Sequence, residues 1–266
     1  MLMRTPFIIP LLSLMLTVSC TKEAHVSGKE IVFFAEDDVN TEFSTKATEV
    51  TSLSSFYVSA VTGSAGSESS EWGSTSFSGS GSYTGGKYWP STNKSLKFYA
   101  SNVTLSYAAA GTTVSASNDT DVIVAYKTDA TYNTSNTLSF SHIFAEIGTV
   151  TLTTGSGHTL SSATLSITPV VSGTYNIRTG AWSGMSNGSA VNIVPTSEGS
   201  KNNSLMLVPG TYTLTASWTV SGGGASRSFS GFAETVTLYA GYKYAWTVNM
   251  DGTLTISATL ENMIWD

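Results

Sequence analysis

The chain has 266 residues, of which 11% are charged and 11% aromatic, with 24 glycines, one cysteine and a formal net charge of −6 at pH 7. The acidic balance and the lack of a basic patch exclude a nucleic-acid-binding protein. One cysteine excludes a disulfide framework, and the aromatic content is too high for a disordered chain.

The first 19 residues have the form of an export signal. Arg4 precedes an apolar run that is too short to span a bilayer as a stable helix. Cys20 ends this run, and the preceding letters LTVS are similar to a bacterial lipobox with its leucine displaced by one position. We predict a signal peptide over residues 1–19, a lipidated Cys20 and a tether over 20–30. An ordinary signal peptide with a chance cysteine is the alternative.

Short apolar runs predict β-strands in residues 31–137. These runs are IVFFAEDD, SSFYVSAV, KSLKFYAS, TTVSAS and DVIVAYKT. Between the second and third lies the Ser/Gly-rich stretch GSAGSESSEWGSTSFSGSGSYTGG, which predicts a mobile loop or an irregular hairpin, with Trp72 and Phe77 as its anchors.

Residues 138–266 show the clearest strand alternation. TYTLTASWTV places five apolar residues on one face and five hydroxyl residues on the other, and GYKYAWTVNM and TLTISATL repeat the pattern. Gly-rich turns separate these runs, and Asp251-Gly252 is typical of a hairpin. With a composition change near TYNTSNT, the pattern predicts an all-β chain of two β-sandwiches, at residues 31–137 and 138–266.

Three sequence patterns suggest catalysis or metal binding, but each lacks a residue or a spacing that its site requires. GSYTGGKY, residues 81–88, has the spacing of a phosphate-binding loop, but Tyr88 stands where Ser or Thr is required. GMSNG has the spacing of a nucleophile elbow around Ser186, but no histidine follows it. The acidic run Glu36–Asp38 lacks calcium-loop spacing. We predict no enzymatic activity, no metal and no cofactor, and we expect His142 to pack beside a core and to bond a backbone carbonyl.

Tryptophans near predicted turns leave a second functional class open. Trp72, Trp89 and Trp182 lie close to Gly- or Pro-containing segments. Exposed loop tryptophans stack on sugars, so a monomeric surface lipoprotein that binds glycans is the alternative function.

Several segments in succession resemble the fimbrillin family, the type V pilins of Bacteroidales. They are Cys20, FSTKATEV, KYWPSTNKSLKFYAS, LSFSHIFAEIGTVTLT and LMLVPGTYTL, and together they extend over nearly the whole chain after the signal. The resemblance implies two transthyretin-like β-sandwich domains in tandem, export as an outer-membrane lipoprotein and assembly into a surface fimbria. It makes the chain a structural or adhesive fimbrial subunit, with an accessory tip or anchor subunit as a further alternative.

The resemblance also implies a mechanism of assembly. A protease specific for Arg or Lys cuts after the first strand, whose loss opens a groove, and the C-terminal strand of another subunit fills that groove. The processing position is Lys46, where the family usually has arginine, so the enzyme must accept lysine or the chain is not processed. The implied partners are other subunits, the protease and a host or bacterial surface ligand. The predicted donor residues share one face of the last strand: Leu254, Ile256, Ala258 and Leu260.

Overall fold

The computed structural model describes residues 28–37 and 53–263, and the regular structure in these ranges is all β-strand. The predicted all-β class is therefore confirmed. No helix in these ranges is long and apolar enough to cross a membrane. The signal peptide, Cys20 and Lys46 lie outside the described residues.

Seven strands in the N-terminal half pair in a closed circuit and form a barrel. Their order around the barrel is β1-β4-β3-β2-β5-β8-β9, and every pair is antiparallel except β1 with β9, which is parallel. The strands are β1 Glu30–Asp37, β2 Ser55–Thr62, β3 Ser69–Ser80, β4 Ser82–Tyr88, β5 Leu96–Ser101, β8 Ile123–Ala130 and β9 Asn136–His142.

Aromatic side chains fill the barrel. The ring of Phe33 lies 4.9 Å from that of Phe77 and 4.8 Å from that of Phe98, both edge-on. Edge-to-face pairs at such distances are favourable beyond the apolar area that they bury. The other members of this barrel core include Ile31, Phe56, Val58, Tyr83, Trp89, Leu96, Leu138 and Phe140.

The Ser/Gly-rich stretch forms two strands of the barrel, β3 and β4, so the hairpin alternative is the one observed. Glycine is required at its turn, because a Cβ on Gly79 would lie 1.9 Å from the carbonyl oxygen of Ser82, and Gly81 has a φ of 76°. The predicted anchors are both used: Phe77 is fully buried and Trp72 packs against the barrel core.

The C-terminal half contains two four-stranded sheets around a second core. Their orders are β15-β10-β18-β19 and β14-β11-β16-β17. The turn predicted at Asp251-Gly252 joins β18 to β19, and a turn of two glycines, residues 223–224, joins β16 to β17. The strands are β10 Ala145–Thr153, β11 Thr159–Ile167, β14 Val191–Asn192, β15 Gly199–Leu207, β16 Gly210–Gly222, β17 Ala225–Leu238, β18 Tyr242–Met250 and β19 Leu254–Asn262.

One small sheet contains strands from both halves of the chain. Its order is β13-β12-β7-β6, from the strands β6 Leu105–Ser106, β7 Thr113–Ser117, β12 Val170–Asn176 and β13 Ala181–Asn187. β7 and β12 pair antiparallel, from Ser172 opposite Ser117 to Asn176 opposite Thr113. We call it the shared sheet. The strand β9 crosses the predicted boundary between residues 137 and 138 and pairs only within the barrel among the described residues.

A buried carboxylate connects the same two halves. The side chain of Glu68 has no exposed surface, and the Tyr99 hydroxyl lies 2.9 and 2.8 Å from its two carboxylate oxygens. Burial, reinforced by this hydrogen bond, raises the pKa of Tyr99, so the phenol keeps its proton and donates it. Lys97 Nζ lies 3.5 Å and Arg178 Nη1 3.7 Å from Glu68 Oε1. Since Arg178 lies between β12 and β13, the carboxylate links the barrel to the C-terminal half.

A substitution of Phe33 tests how much the stability of the barrel depends on β1. Replacing Phe33 with Ala removes a ring that other aromatic rings surround, so we expect unfolding in urea to need roughly 3–5 kcal/mol less free energy. Phe34→Ala is the matched control, because the neighbouring side chain points outward and is 43% exposed. Its effect should stay within about 0.5 kcal/mol. Equal losses in the two uncut variants would contradict the placement of β1 in the barrel core.

Candidate functional site

The strand β1 lies between two neighbours that do not otherwise pair. It runs antiparallel to β4, with Phe33 opposite Tyr83, and parallel to β9, from Phe33 opposite Asn136 to Asp37 opposite Phe140. Every strand of a closed circuit is needed to close it, but β1 is the first of these seven strands in the chain, so a single cut between β1 and β2 separates it from the other six. Its removal would leave β4 and β9 as two unpaired edges that face each other across a groove.

The side chains of β1 alternate strictly between the barrel core and solvent. Ile31 and Phe33 are fully buried, and Ala35 is partly buried against the same core. Phe34, on the outer face, is 43% exposed. The groove beneath β1 thus has two closed positions for large side chains and a third, half-open position for a small one.

Few side-chain hydrogen bonds hold β1 in place, and they come from the β9 side. Asn136 Nδ2 donates to the carbonyl oxygen of Val32 at 3.2 Å, and Ser139 Oγ donates to Glu36 Oε1 at 2.5 Å. Lys29, just before the strand, donates to the carbonyl oxygen of Tyr132 at 3.1 Å. Backbone ladders and inward side chains therefore carry most of the attachment of β1.

Asn136 is a site residue that sequence reasoning missed. Its side chain is almost fully buried, yet it comes from the polar stretch TYNTSNT, which we read as a composition change between domains. One asparagine in a polar run carries no local signal, because its burial depends on β1, which lies more than 100 residues earlier in the chain.

The predicted donor residues lie in β19, an edge strand. β19 pairs antiparallel with β18 over nine positions, from Tyr242 opposite Asn262 to Met250 opposite Leu254, and with no other described strand. Leu254 is buried, Ile256 and Leu260 are partly buried against the C-terminal core, and Ala258 is exposed. In this structure β19 thus completes its own sheet, and its apolar face is only partly covered.

An apolar groove of about 540 Å³ follows the same face of β19. It lies between β19 and β17, the edge strands of the two C-terminal sheets. Val236 and Tyr239 line one side, and Ile256 and Leu260 line the other. The groove explains why these two β19 side chains keep some exposure although they face the core.

The tryptophans proposed for sugar stacking are not exposed. Trp89 is only 4% exposed and belongs to the barrel core. Trp72 packs against that core, and the ring of Trp182 lies 5.4 Å from that of Phe144 in a cluster next to the shared sheet. The prediction of exposed loop tryptophans is wrong, because each of the three rings belongs to a buried cluster or packs against one.

The two sequence patterns that suggested catalysis lie in strands of the barrel and of the shared sheet. The stretch with phosphate-loop spacing is strand β4, and Ser186 lies within strand β13. His142 is buried as predicted, but its Nδ1 lies 2.6 Å from Asp121 Oδ2 and so pairs with a carboxylate, not with a backbone carbonyl. Within the described residues, no group of three or more His, Cys, Asp or Glu side chains has the arrangement of a metal site.

The comparisons agree with this architecture. The family model described as fimbrillin-like matches residues 22–262. No curated protein matches the sequence.

Three solved structures from Bacteroides have the same fold. A fimbrial protein from Bacteroides vulgatus is 13% identical, with a TM-score of 0.57, and the alignment covers 88% of this chain and 99% of the other. A protein from Bacteroides ovatus with a proposed role in cell adhesion is 17% identical, with a TM-score of 0.51 and coverages of 90% and 99%. A similar protein from Bacteroides eggerthii is 13% identical, with a TM-score of 0.50 and coverages of 88% and 96%.

At these identities the structural likeness shows the fold alone. The family match extends over almost all of the chain, from residue 22 to residue 262. The chain therefore belongs to the fimbrillin-like family.

Proposed function

We propose that this protein is a structural and adhesive subunit of a cell-surface fimbria that assembles by strand exchange. A protease cuts after Lys46, β1 leaves the barrel, and β19 of another copy takes its place. One observation carries the proposal: β1, the first described strand, lies between β4 and β9 in the closed barrel, so one cut before β2 frees the strand that joins these two edges. Lys46, the basic residue between Lys29 and Lys87, falls in the segment that joins β1 to the rest of the barrel.

Loss of β1 makes the cut barrel a strong acceptor. The departing Phe33 uncovers the rings of Phe56, Phe77 and Phe98, and two sheet edges lose their hydrogen-bond partners. A strand that enters the groove satisfies both edges and covers the rings again. In such β-strand addition, backbone hydrogen bonds supply affinity and alternate side chains supply specificity.

Burial of side chains, more than backbone pairing, favours the exchange. β19 gives up nine paired positions with β18, and β1 occupies five with β9 and three with β4. The number of paired positions that β19 loses is thus nearly equal to the number that it gains in the groove. In contrast, Ile256 is only partly buried in the free chain, whereas the position of Phe33 in the groove is fully closed. Filling that position with Ile256 removes apolar area from water, worth about 25 cal/mol per Å².

The proposal places the protein on the cell surface, held at the outer membrane by lipid on Cys20. The position of this cysteine at the end of an export signal supports the anchor, and the family supports a fimbrial location. Treatment of the secreted chain with a trypsin-like protease tests the assembly: a ladder of polymers on gels supports a subunit of the fibre body. Cutting without polymers would favour the accessory tip or anchor subunit.

Cys20→Ala tests the anchor. The variant should leave the membrane fraction, because the acyl chains that hold the protein would have no attachment site. Cell fractionation and labelling with a palmitate analogue measure this, with Thr21→Ala as the control that keeps both label and location. A Cys20→Ala protein that is still labelled and still sediments with the outer membrane would refute the lipid anchor.

Lys46→Ala tests the processing position. Treated with the same protease, the variant should stay folded and monomeric by size-exclusion chromatography, because its own β1 still fills the barrel. Lys29→Ala is the control, since it alters the basic residue on the other side of β1 and should assemble normally. Assembly of Lys46→Ala as fast as wild type would rule out cutting at this position.

Ile256→Asp tests the donor strand. The variant should be cut normally yet form no polymers, because a carboxylate without a partner would have to enter a closed apolar position at a cost of several kcal/mol. Ser257→Asp is the matched control, because its neighbouring side chain is exposed on the opposite face of β19. Gel ladders measure both. Polymers of normal length from Ile256→Asp, or from chains that lack residues 253–266, would exclude β19 as the donor.

A further inference from the structure

The groove under β1 and the sequence of β19 fit each other in one alignment. We infer that β19 enters the barrel of the next subunit in a fixed register, with two large aliphatic side chains at the closed positions and a small one at the half-open position. This inference rests on the proposed strand exchange. In this register Leu254, Ile256 and Ala258 of one copy take the places of Ile31, Phe33 and Ala35 of the next.

The direction of the incoming strand is set by its two neighbours. β1 runs antiparallel to β4 and parallel to β9. A replacement that pairs with both edges in the same way must run in the same direction as β1, so the two sequences are compared in the same N-to-C order. In that order β1 presents large, large and small side chains to the core.

Only one register of β19 reproduces this order of sizes. A shift of two residues places Ala258 at the position of Phe33 and leaves a cavity among three aromatic rings. A shift of four places Ala258 at the position of Ile31, and a shift of six buries the amide of Asn262 without a partner. The unshifted register alone fills both closed positions with large apolar side chains.

One polar contact favours the two-residue shift but is too weak to decide the register. That shift would place Glu261 where Glu36 now accepts a hydrogen bond from Ser139 at 2.5 Å. The bond lies at an exposed site, where the net contribution of a hydrogen bond is small because water competes for both groups. An unfilled aromatic position in the closed core costs more.

The outer face of β19 also suits the inferred register. Thr255 and Ser257 would take the outward positions of Val32 and Phe34. Phe34 exposes 43% of its surface in the uncut barrel. The exchange therefore replaces an exposed ring by a hydroxyl group that water solvates well.

Leu254 and Leu260 provide a direct readout of the register, because only one of them lies in a closed position. In the inferred register Leu254 takes the closed position of Ile31, and Leu260 takes the strand position of Asp37, where the uncut protein already has a carboxylate. After a shift of two or four, Leu254 lies before the closed positions, and Leu260 takes the position of Ala35 or of Phe33. An aspartate therefore weakens binding at a different residue in the inferred and the shifted registers.

The experiment is an aspartate scan of the donor strand. Labelled peptides of residues 253–263, as wild type or with Leu254→Asp, Leu260→Asp or Thr259→Asp, are added in excess to the full mature chain during trypsin treatment. Fluorescence anisotropy measures their retention. Leu254→Asp should bind roughly tenfold more weakly than wild type, because a carboxylate would enter a closed position. Leu260→Asp should bind nearly as well as wild type, and Thr259→Asp, which faces outward in all three registers, is the control.

The scan separates failure of the register from failure of the exchange itself. A loss of binding at Leu260→Asp in place of Leu254→Asp overturns the inferred register and leaves the exchange intact. If the cut chain retains none of the peptides, including wild type, the proposed strand exchange fails and the register fails with it. Uncut protein, in which β1 still fills the groove, should retain no peptide in any case.

Discussion

The parallel pairing of β1 with β9 is the interaction that closes the barrel. Without β1, β4 and β9 would be free edges, and the aromatic core would have an open side. Backbone groups at such edges need partners, and the rings below them need cover. One strand meets both needs, so the barrel is complete with β1 in place and incomplete without it.

The two halves of the chain meet through contacts of different kinds. The shared sheet continues from β7 to β12 by backbone hydrogen bonds, and the carboxylate of Glu68 lies near Lys97 from the barrel and Arg178 from the C-terminal half. A buried carboxylate is costly unless charged or donor groups surround it, so this cluster favours one arrangement of the halves over others. Ile143 and Phe144, both buried, form the covalent link from β9 to β10.

Local sequence patterns predicted much of the fold, but they did not predict the pairing of strands that are far apart in the chain. The alternation in TYTLTASWTV can be recognised in the sequence because one face of β16 packs on a core and the other face is exposed to solvent. The stretch that forms β3 shows no such pattern, since serine and glycine fill most of its positions and its order comes from the strands on either side. The closure of β1 on β9, and with it the burial of Asn136, joins segments about 100 residues apart, and no local sequence signal encodes that pairing. The apolar face of β19 was predictable for the same reason as that of β16, because its alternation is regular.

In a fibre joined by this exchange, the topology sets how tension passes through each subunit. Force on the strand in the groove would reach β9 across a parallel ladder, continue along Ile143 and Phe144 into β10, and cross a second parallel ladder to β18 before it leaves through the turn at Asp251-Gly252. In each of these ladders the two strands would be pulled at opposite ends, since one is loaded at its amino end and its parallel partner at its carboxyl end. Such loading is shear, in which the evenly spaced hydrogen bonds of a parallel pair resist together instead of opening one after another. The strands of the shared sheet would lie beside this line of force, and their pairing with one another would carry little of the tension.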